Sequence, residues 1–227
     1  MDVQIRHTPS FAVARCTLTG GETMRAESGA MMATSDGVAI EASMQGGLVK
    51  SLKRSVLGGE SLFITTYTAP SRGGWVDCAA RLPGDAVLAT LNGSQALNIQ
   101  RGSYLCSEST IEIDTKWGGF KNLFGGEGGF LIRATGSGEV VASCYGALDR
   151  IMLSAGEKLT VDSGHMVAYD DGVTMNLRRA ASGSLTSLKS GEGFVFDFTG
   201  PGEVMVQTRN PSELITWLTT VLPFSRQ

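Results

Sequence analysis

Metal binding is the first chemistry to consider, because histidine is the commonest metal-binding side chain in proteins. A metal site of the cupin type needs clustered histidines together with a carboxylate. This chain contains only His7 and His165, and no His-x-His pair occurs. We interpret His165, which directly follows a glycine, as an ordinary turn or surface residue. The sequence therefore predicts no metal centre and no other resident cofactor.

Serine is plentiful in the chain, but a catalytic serine needs a positioned histidine and an acid. Ser137 lies between two glycines in a stretch that matches Gly200-Pro201-Gly202, so a proline can take the place of this serine. The glycine-rich run 125–129 leads into an apolar strand. Phosphate-binding loops lead instead into the N-terminus of a helix. We therefore predict that the protein is not an enzyme.

Three glutamates recur in front of predicted apolar strands: Glu60, Glu127 and Glu192. Three equivalent acids near a pseudo-threefold axis would bind a cation or raise one another's pKa. In the alternative interpretation each glutamate accepts hydrogen bonds from backbone amides in the turn before a strand. The sequence favours this structural interpretation.

Three loops that combine basic and apolar residues give the strongest functional prediction. They span 46–59, 116–124 and 178–189, between predicted strands. Basic and apolar side chains concentrated on loops suit a membrane interface or a groove on a protein partner. The more ordinary alternative is that the apolar residues cover the open ends of a barrel while the cations stay solvated. The predicted contact residues are Leu48, Lys50, Lys53, Arg54, Lys116, Trp117, Phe120, Lys121, Arg178 and Arg179.

The elements that must position these loops occur three times along the chain. Residues 18–40, 91–113 and 153–175 align without a gap, with apolar residues at shared positions. Apolar and polar residues alternate in each copy, which predicts half-buried strands. Each copy also has a glycine eleven residues after its first leucine, at a predicted turn or bulge: Gly29, Gly102 and Gly164. This self-similarity predicts a repeated architecture.

We predict one all-β domain over residues 1–227, in which three duplicated β modules form a compact sandwich or barrel related to the double-stranded β-helix. The internal repeats span approximately 11–80, 84–146 and 147–209. Asn210-Pro211-Ser212-Glu213 has the capping residues of a helix start. The apolar stripe that follows predicts a helix over 211–222. We expect this helix to pack on the sheets or on a neighbouring subunit.

Charge, cysteine content and hydrophobicity bear on the partners and the location of the protein. The net charge of −3 and the low density of basic residues disfavour nucleic acid as a partner. Four widely spaced cysteines without a CxxC pair suit buried, free thiols in a reducing compartment, although four cysteines could also form two disulfides. The N-terminus lacks the apolar run of a secretory signal. The longest apolar stretch, 214–224, is too short to span a bilayer. We expect a soluble, cytoplasmic protein.

Several passages resemble the altered-inheritance-of-mitochondria family, which is named for a yeast mitochondrial protein. They are residues 26–33, the Gly-Gly-Leu-Val loop that leads into 57–63, and residues 101–106. The resemblance covers almost the whole chain and rests on the order and spacing of these passages. It implies an all-β fold like that of the tryptophan RNA-binding attenuator protein, built by duplication, and a ring-like or trimeric assembly. No RNA-binding, tryptophan-binding or catalytic residues carry over.

The expected function is therefore that of a non-enzymatic oligomeric scaffold or binding module. We expect a homo-oligomer, with a trimer favoured, that contacts a membrane surface or a protein partner through the three loops. The alternative is a small-ligand-binding protein or an unrecognised enzyme with a pocket between modules. RNA binding is a third, disfavoured class.

Overall fold

The computed structural model describes residues 1–44, 63–114, 131–180 and 193–223. We call the three predicted repeats segments 1, 2 and 3. Segment 1, with one preceding strand, contributes β1 (Asp2–Arg6), β2 (Val13–Leu18), β3 (Thr23–Glu27), β4 (Met31–Thr34), β5 (Ala39–Met44), β6 (Phe63–Thr68) and β7 (Gly74–Ala79). Segment 2 contributes β8 (Ala86–Asn92), β9 (Leu97–Gln100), β10 (Tyr104–Glu108), β11 (Glu112–Asp114), β12 (Leu131–Thr135) and β13 (Ser137–Ser143). Segment 3 contributes β14 (Leu148–Leu153), β15 (Lys158–Asp162), β16 (Met166–Asp170), β17 (Thr174–Arg179), β18 (Phe194–Thr199) and β19 (Gly202–Gln207).

The strands form four open sheets. Their orders are β1-β2-β7-β4, β5-β6-β3-β10-β13-β8, β11-β12-β9-β16-β19-β14 and β15-β18-β17. Each six-stranded sheet takes three strands from one segment and three from the next, joined by the pairs β3–β10 and β9–β16. The all-β fold with one C-terminal helix is confirmed. In the described part of the chain the sheets have free edges and do not close into a barrel.

The predicted alternation of apolar and polar residues appears as alternating burial. In β3, Met24 and Ala26 are buried while their neighbours are only partly covered. The matching residues of β9, Leu97 and Ile99, are buried as well, but so is Asn98 between them, so burial alternates in β3 and not in β9. Successive strand residues point to opposite faces, so this period of two directs one row of side chains into the core.

The three aligned glycines lie in corresponding turns, before β4, β10 and β16. Gly29 has φ +88°, a left-handed conformation that favours glycine. At Gly164 a Cβ would lie 2.2 Å from Nδ2 of Asn210, so close packing requires the glycine. Gly102 forms part of a short 3₁₀ turn, Arg101–Ser103, and meets neither constraint. One sequence signal therefore corresponds to three different local settings, and only two of them require glycine.

A register shift recurs at the same aligned position of each segment. It lies between Met31 and Ala33 in β4, where β4 pairs with β7. The pairs β10–β13 and β16–β19 shift between Tyr104 and Cys106 and between Met166 and Ala168. An extra residue on one strand bends the strand and increases its twist. The three strands therefore bend at corresponding places.

The C-terminal helix α1 (Pro211–Val221) ends one residue before the predicted boundary. Asn210 caps it, since its side-chain oxygen accepts a hydrogen bond from the Ser212 amide at 2.9 Å. None of its residues is buried, and Ile215 and Trp217 are 61% and 59% exposed. The helix therefore does not pack into the sheets, and packing on a neighbouring subunit stays a prediction. Within the described ranges, no helix has the length and apolar character needed to cross a bilayer.

The first sheet is held together by a buried carboxylate. Asp77 on β7 accepts hydrogen bonds from Nε and Nη2 of Arg15 on β2, both at 2.8 Å. Arg6 on β1 donates to the same carboxylate at 2.8 Å. The hydrogen bond from Arg15 is the main cause that holds the pKa of Asp77 below its usual value, against the opposing effect of burial. Three strands thus share one charged centre.

Replacing Asp77 with Asn should lower the free energy of unfolding at neutral pH by about 2 kcal/mol, because charge-assisted hydrogen bonds are lost. A depressed folded-state pKa gives stability that is present above the unfolded pKa, about 3.9, and is lost as pH falls through the folded value. Urea unfolding from pH 6 down to about pH 2 should therefore show that the free energy of unfolding falls more steeply with decreasing pH for the wild type than for D77N. D149N, at an exposed position of β14, is the control and should follow the wild type.

Candidate functional site

A cleft of about 230 Å³ lies where the strand ends of the three segments meet. Its polar wall residues include Glu27, Arg81, Gln100, Ser143 and Gln207. Glu27 ends β3 and Gln100 ends β9, at the same aligned position of segments 1 and 2. The repeated fold therefore brings equivalent strand ends together around one cavity. Ala80, Leu82 and Pro211 add apolar surface.

Glu27 places a half-buried carboxylate in this cleft. Its Oε1 lies 4.0 Å from Nη2 of Arg81. Burial raises the pKa of Glu27, while the cations of Arg81 and Arg101 act in the opposite direction. Loss of water around the carboxylate outweighs attraction to these arginines, because burial disfavours the charged form. The cleft thus holds an acid that would gain from a cationic or hydrogen-bond-donating ligand.

Gln100 provides an acceptor without a partner. Its Oε1 is buried and receives no hydrogen bond from any residue that the structure describes. An unsatisfied buried acceptor lowers stability by about 1–3 kcal/mol. Such groups are rare in native proteins and call for a physical explanation. The Gln100 side chain lines the cleft, so a ligand donor there would reach this oxygen after the amide rotates toward the cavity.

Other polar groups of the cleft are already engaged and build its walls. The Gln207 side chain donates to the Gly164 carbonyl and accepts from the Tyr145 amide, both at 2.8 Å. Cys144 donates to the Gly146 carbonyl at 3.4 Å, and burial raises the pKa of its thiol to about 11. Cys144 is therefore protonated near neutral pH and unsuited to act as a nucleophile.

His165 occupies a position that agrees with its interpretation from the sequence. His165 lies in the turn before β16, with Nδ1 2.7 Å from the Gln207 carbonyl oxygen. His7 is an exposed residue with φ +62°. No group of three histidines, cysteines, aspartates or glutamates that could hold a metal ion occurs among the described residues.

Most of the predicted loop contacts lie outside the described residues. These are Leu48, Lys50, Lys53, Arg54, Lys116, Trp117, Phe120 and Lys121. The three recurring glutamates, Glu60, Glu127 and Glu192, also lie outside the described residues. Arg178 and Arg179 lie on strand β17 rather than on a loop. Arg178 donates to Asp197 at 3.1 Å, and this hydrogen bonding lowers the pKa of Asp197. The Arg179 guanidinium is 6.0 Å from the Phe194 ring centre.

Sequence reasoning missed Glu27, Arg81 and Gln100. A signal was available for two of them, since Glu27 and Gln100 align with Asp162, so each copy has a polar residue at the end of the strand. The pattern does not show that these strand ends converge and become partly buried. Arg81 follows β7 and aligns with Tyr145 and Arg209 after the matching strands, but polar residues just after a strand are ordinary turn residues and did not single it out.

The family described as mitochondrial biogenesis AIM24 matches residues 3–209. The chain belongs to this AIM24 family. The match confirms the resemblance predicted from the sequence, and it covers all three segments and the cleft, apart from the first residue of α1.

Two proteins of Streptococcus pyogenes are similar to this AIM24-family chain. An uncharacterized protein of serotype M6 is 28% identical over 233 residues, which cover 99% of this chain and 92% of the relative. The crystal structure of another S. pyogenes protein has a TM-score of 0.83 at 24% identity and covers 97% of this chain and 99% of that one. This second likeness shows the fold of the chain.

Glu27→Gln should make the protein more stable at pH 7. A carboxyl whose folded pKa is raised lowers stability as the pH rises through the interval between its unfolded and folded pKa values. The gain of E27Q over the wild type should therefore be present at pH 7 and shrink below about pH 4, near the unfolded pKa of glutamate. Thermal unfolding across this pH range measures it. E112Q, at an exposed site on β11, should show no such gain, and equal curves for E27Q and the wild type would contradict the assignment.

Proposed function

We propose that this AIM24-family protein is a non-enzymatic binding module within an oligomeric scaffold, and that its ligand site is the cleft between the segments. The observation that carries the proposal is the buried, unpaired Oε1 of Gln100. The non-enzymatic role is supported by the engaged amide of Gln207 and the protonated thiol of Cys144. Its buried free cysteines suit a reducing compartment such as the cytoplasm.

The lining of the cleft defines the chemistry of the ligand. The Gln100 oxygen and the Glu27 carboxylate are both acceptors, so the ligand must present N–H or O–H donors. The carboxylate further favours a cationic group over a neutral one. Apolar surface from Leu82 and Pro211 suits a short carbon skeleton. A small organic amine matches these requirements.

Gln100→Met should raise the free energy of unfolding of the ligand-free protein by about 1 kcal/mol and abolish ligand binding. The substitution keeps a similar volume but removes the unpaired acceptor. Denaturant unfolding measures the first effect, and ligand-observed NMR with a panel of small primary amines measures the second. Q4M, at an exposed position of β1, is the control and should change neither. A less stable Q100M, together with no amine bound by the wild type, would contradict the proposal.

Contact with a membrane surface is the second candidate, and the exposed apolar side of α1 favours it. Ile215, Trp217 and Val221 are more than half exposed, and Leu222, which follows the helix, is 44% exposed. Tryptophan is enriched at membrane interfaces, where its ring is partly apolar and partly polar. The cations predicted on the loops, such as Lys50 and Lys53, would add attraction to anionic lipids.

Flotation with anionic vesicles tests this second candidate. The wild type should float with the vesicles, Ile215→Ser/Trp217→Ser should lose most of the bound fraction, and Lys50/Lys53/Arg54→Glu should lose binding that depends on low salt. Leu222 stays unchanged in all variants. If none of the three proteins floats, membrane contact is rejected as a function. The exposed apolar residues of α1 would then be expected to contact a protein partner.

A further inference from the structure

Successive segments are joined by one kind of strand pair. Strand β3 of segment 1 pairs with β10 of segment 2, with Ala26 opposite Cys106. Strand β9 of segment 2 pairs with β16 of segment 3, with Ile99 opposite Ala168. Ala26 aligns with Ile99, and Cys106 aligns with Ala168, so both joints have the same antiparallel register. We call this pairing the segment joint.

The described structure also contains the two strands that would form a third segment joint, but these two strands are not paired with each other. Strand β15 is the counterpart of β3 and β9, and it lies at the edge of its sheet with β18 as its neighbour. Strand β4 is the counterpart of β10 and β16, and it lies at the edge of the first sheet beside β7. The described sheets therefore end in the two complementary strands of one joint.

The exposed side chains of β4 show which surface would be buried if this strand formed a segment joint. In β4, Met31 and Met32 are 36% and 54% exposed. Their counterparts in the two occupied joints are at most 1% exposed: Tyr104, Leu105, Met166 and Val167. The same positions thus carry large apolar side chains in all three segments and are uncovered only where the joint is unfilled.

The partner strand shows the same difference. Leu159 on β15 is partly exposed, whereas its counterparts Met24 and Leu97 are buried. Thr160 is exposed, whereas its counterpart Asn98 is buried. At these positions both halves of the unfilled joint are therefore more exposed than the filled ones, whereas Val161 on β15 is buried.

These edges lack two of the features that usually protect an exposed strand, central charges and proline. Strand β4 is short and has a register shift, but β10 and β16 share that shift and still pair in the filled joints. Natural edge strands are protected by central charges, proline or a covering element. Strand β4 consists of Met-Met-Ala-Thr, with no charge and no proline. Strand β15 has its charged residues, Lys158 and Asp162, only at its two ends. Both strands are suited to pair with another strand.

We propose that β15 of one copy pairs with β4 of a second copy of this chain and repeats the segment joint between molecules. The two internal joints fix the register. Aligning the segments places Val161 opposite Ala33, Thr160 opposite Thr34 and Leu159 opposite Ser35. The new pairing covers Met32 and continues the sheet of one molecule into the next.

This pairing is head-to-tail, because each copy offers one β4 and one β15. Such contacts close into a ring when the rotation between copies allows it and otherwise build a filament. Three copies closing into a ring would give the trimer that the family resemblance implies. The pairing gives a structural basis to the oligomeric scaffold of the proposed function, but it is independent of the ligand in the cleft.

Disulfide crosslinking between two single variants tests the partner and the register together. Thr160→Cys and Thr34→Cys place thiols on directly opposite positions of the joint. Mixed under mild oxidation, the two variants should form a crosslinked dimer in high yield. Thr160→Cys mixed with Thr90→Cys is the matched control, because Thr90 is exposed on another edge strand, β8. Little crosslinking is expected there.

A double variant with both new cysteines in one chain distinguishes the alternative of pairing within a molecule. At low protein concentration it should stay without the crosslink. A disulfide formed inside one chain, or equal yields for the Thr34 and Thr90 mixtures, would overturn the proposal.

Solution mass provides the second measurement. The wild type should show a multiple of the 23.9 kDa chain mass. Met32→Lys should fold and shift to the mass of one chain, because it places a charge in the joint. Met152→Lys is the control, since Met152 is exposed on the edge strand β14, and should keep the wild-type mass. A wild type with the mass of one chain at high protein concentration would overturn the proposal.

The two proposals fail separately. Amine binding measured on monomeric Met32→Lys reports only on the cleft, while the crosslinking yield of ligand-free protein reports only on the joint. Loss of one signal therefore leaves the other interpretable.

Discussion

The structure depends on the need of every strand to satisfy its backbone N–H and C=O groups. Within a segment, neighbouring strands meet this need by antiparallel pairing. Between segments it is met by short ladders, β3–β10 and β9–β16, that each join three residue pairs. These ladders hold the segments together and bring the ends of β3 and β9 beside each other. The cleft with Glu27 and Gln100 is a consequence of that placement.

Much of the fold follows from the sequence because its signals are local. Alternation of apolar residues predicted the buried face of β3, and the capping residues at Asn210 predicted the start of α1. The sharing of sheets between segments was not predicted. A period of two specifies which face of a strand is buried, but it does not specify which strand lies at either edge. The backbone conformations of Gly29, Gly102 and Gly164 also differ, because each turn depends on the residues packed around it as well as on its own sequence.

The candidate site was harder to predict than the fold. A polar residue at the end of a strand resembles an ordinary turn residue, and only packing shows that Gln100 has a buried acceptor. The sequence instead singled out basic residues on loops, and two of these, Arg178 and Arg179, are on a strand. Arg178 forms an ion pair within its own sheet. Sequence patterns indicate residue types, whereas burial and partnership arise from contacts between segments.

Segment joints thus connect the three segments within one molecule. The strands β4 and β15 are the two halves of a further joint that is not paired within the described structure. Amide hydrogen exchange of these two strands, measured over a range of protein concentrations, tests this account most directly. The account predicts that amides of β4 and β15 gain protection as concentration rises, while those of β10 and β16 stay protected throughout. Exchange in β4 and β15 that stays fast at every concentration would contradict it.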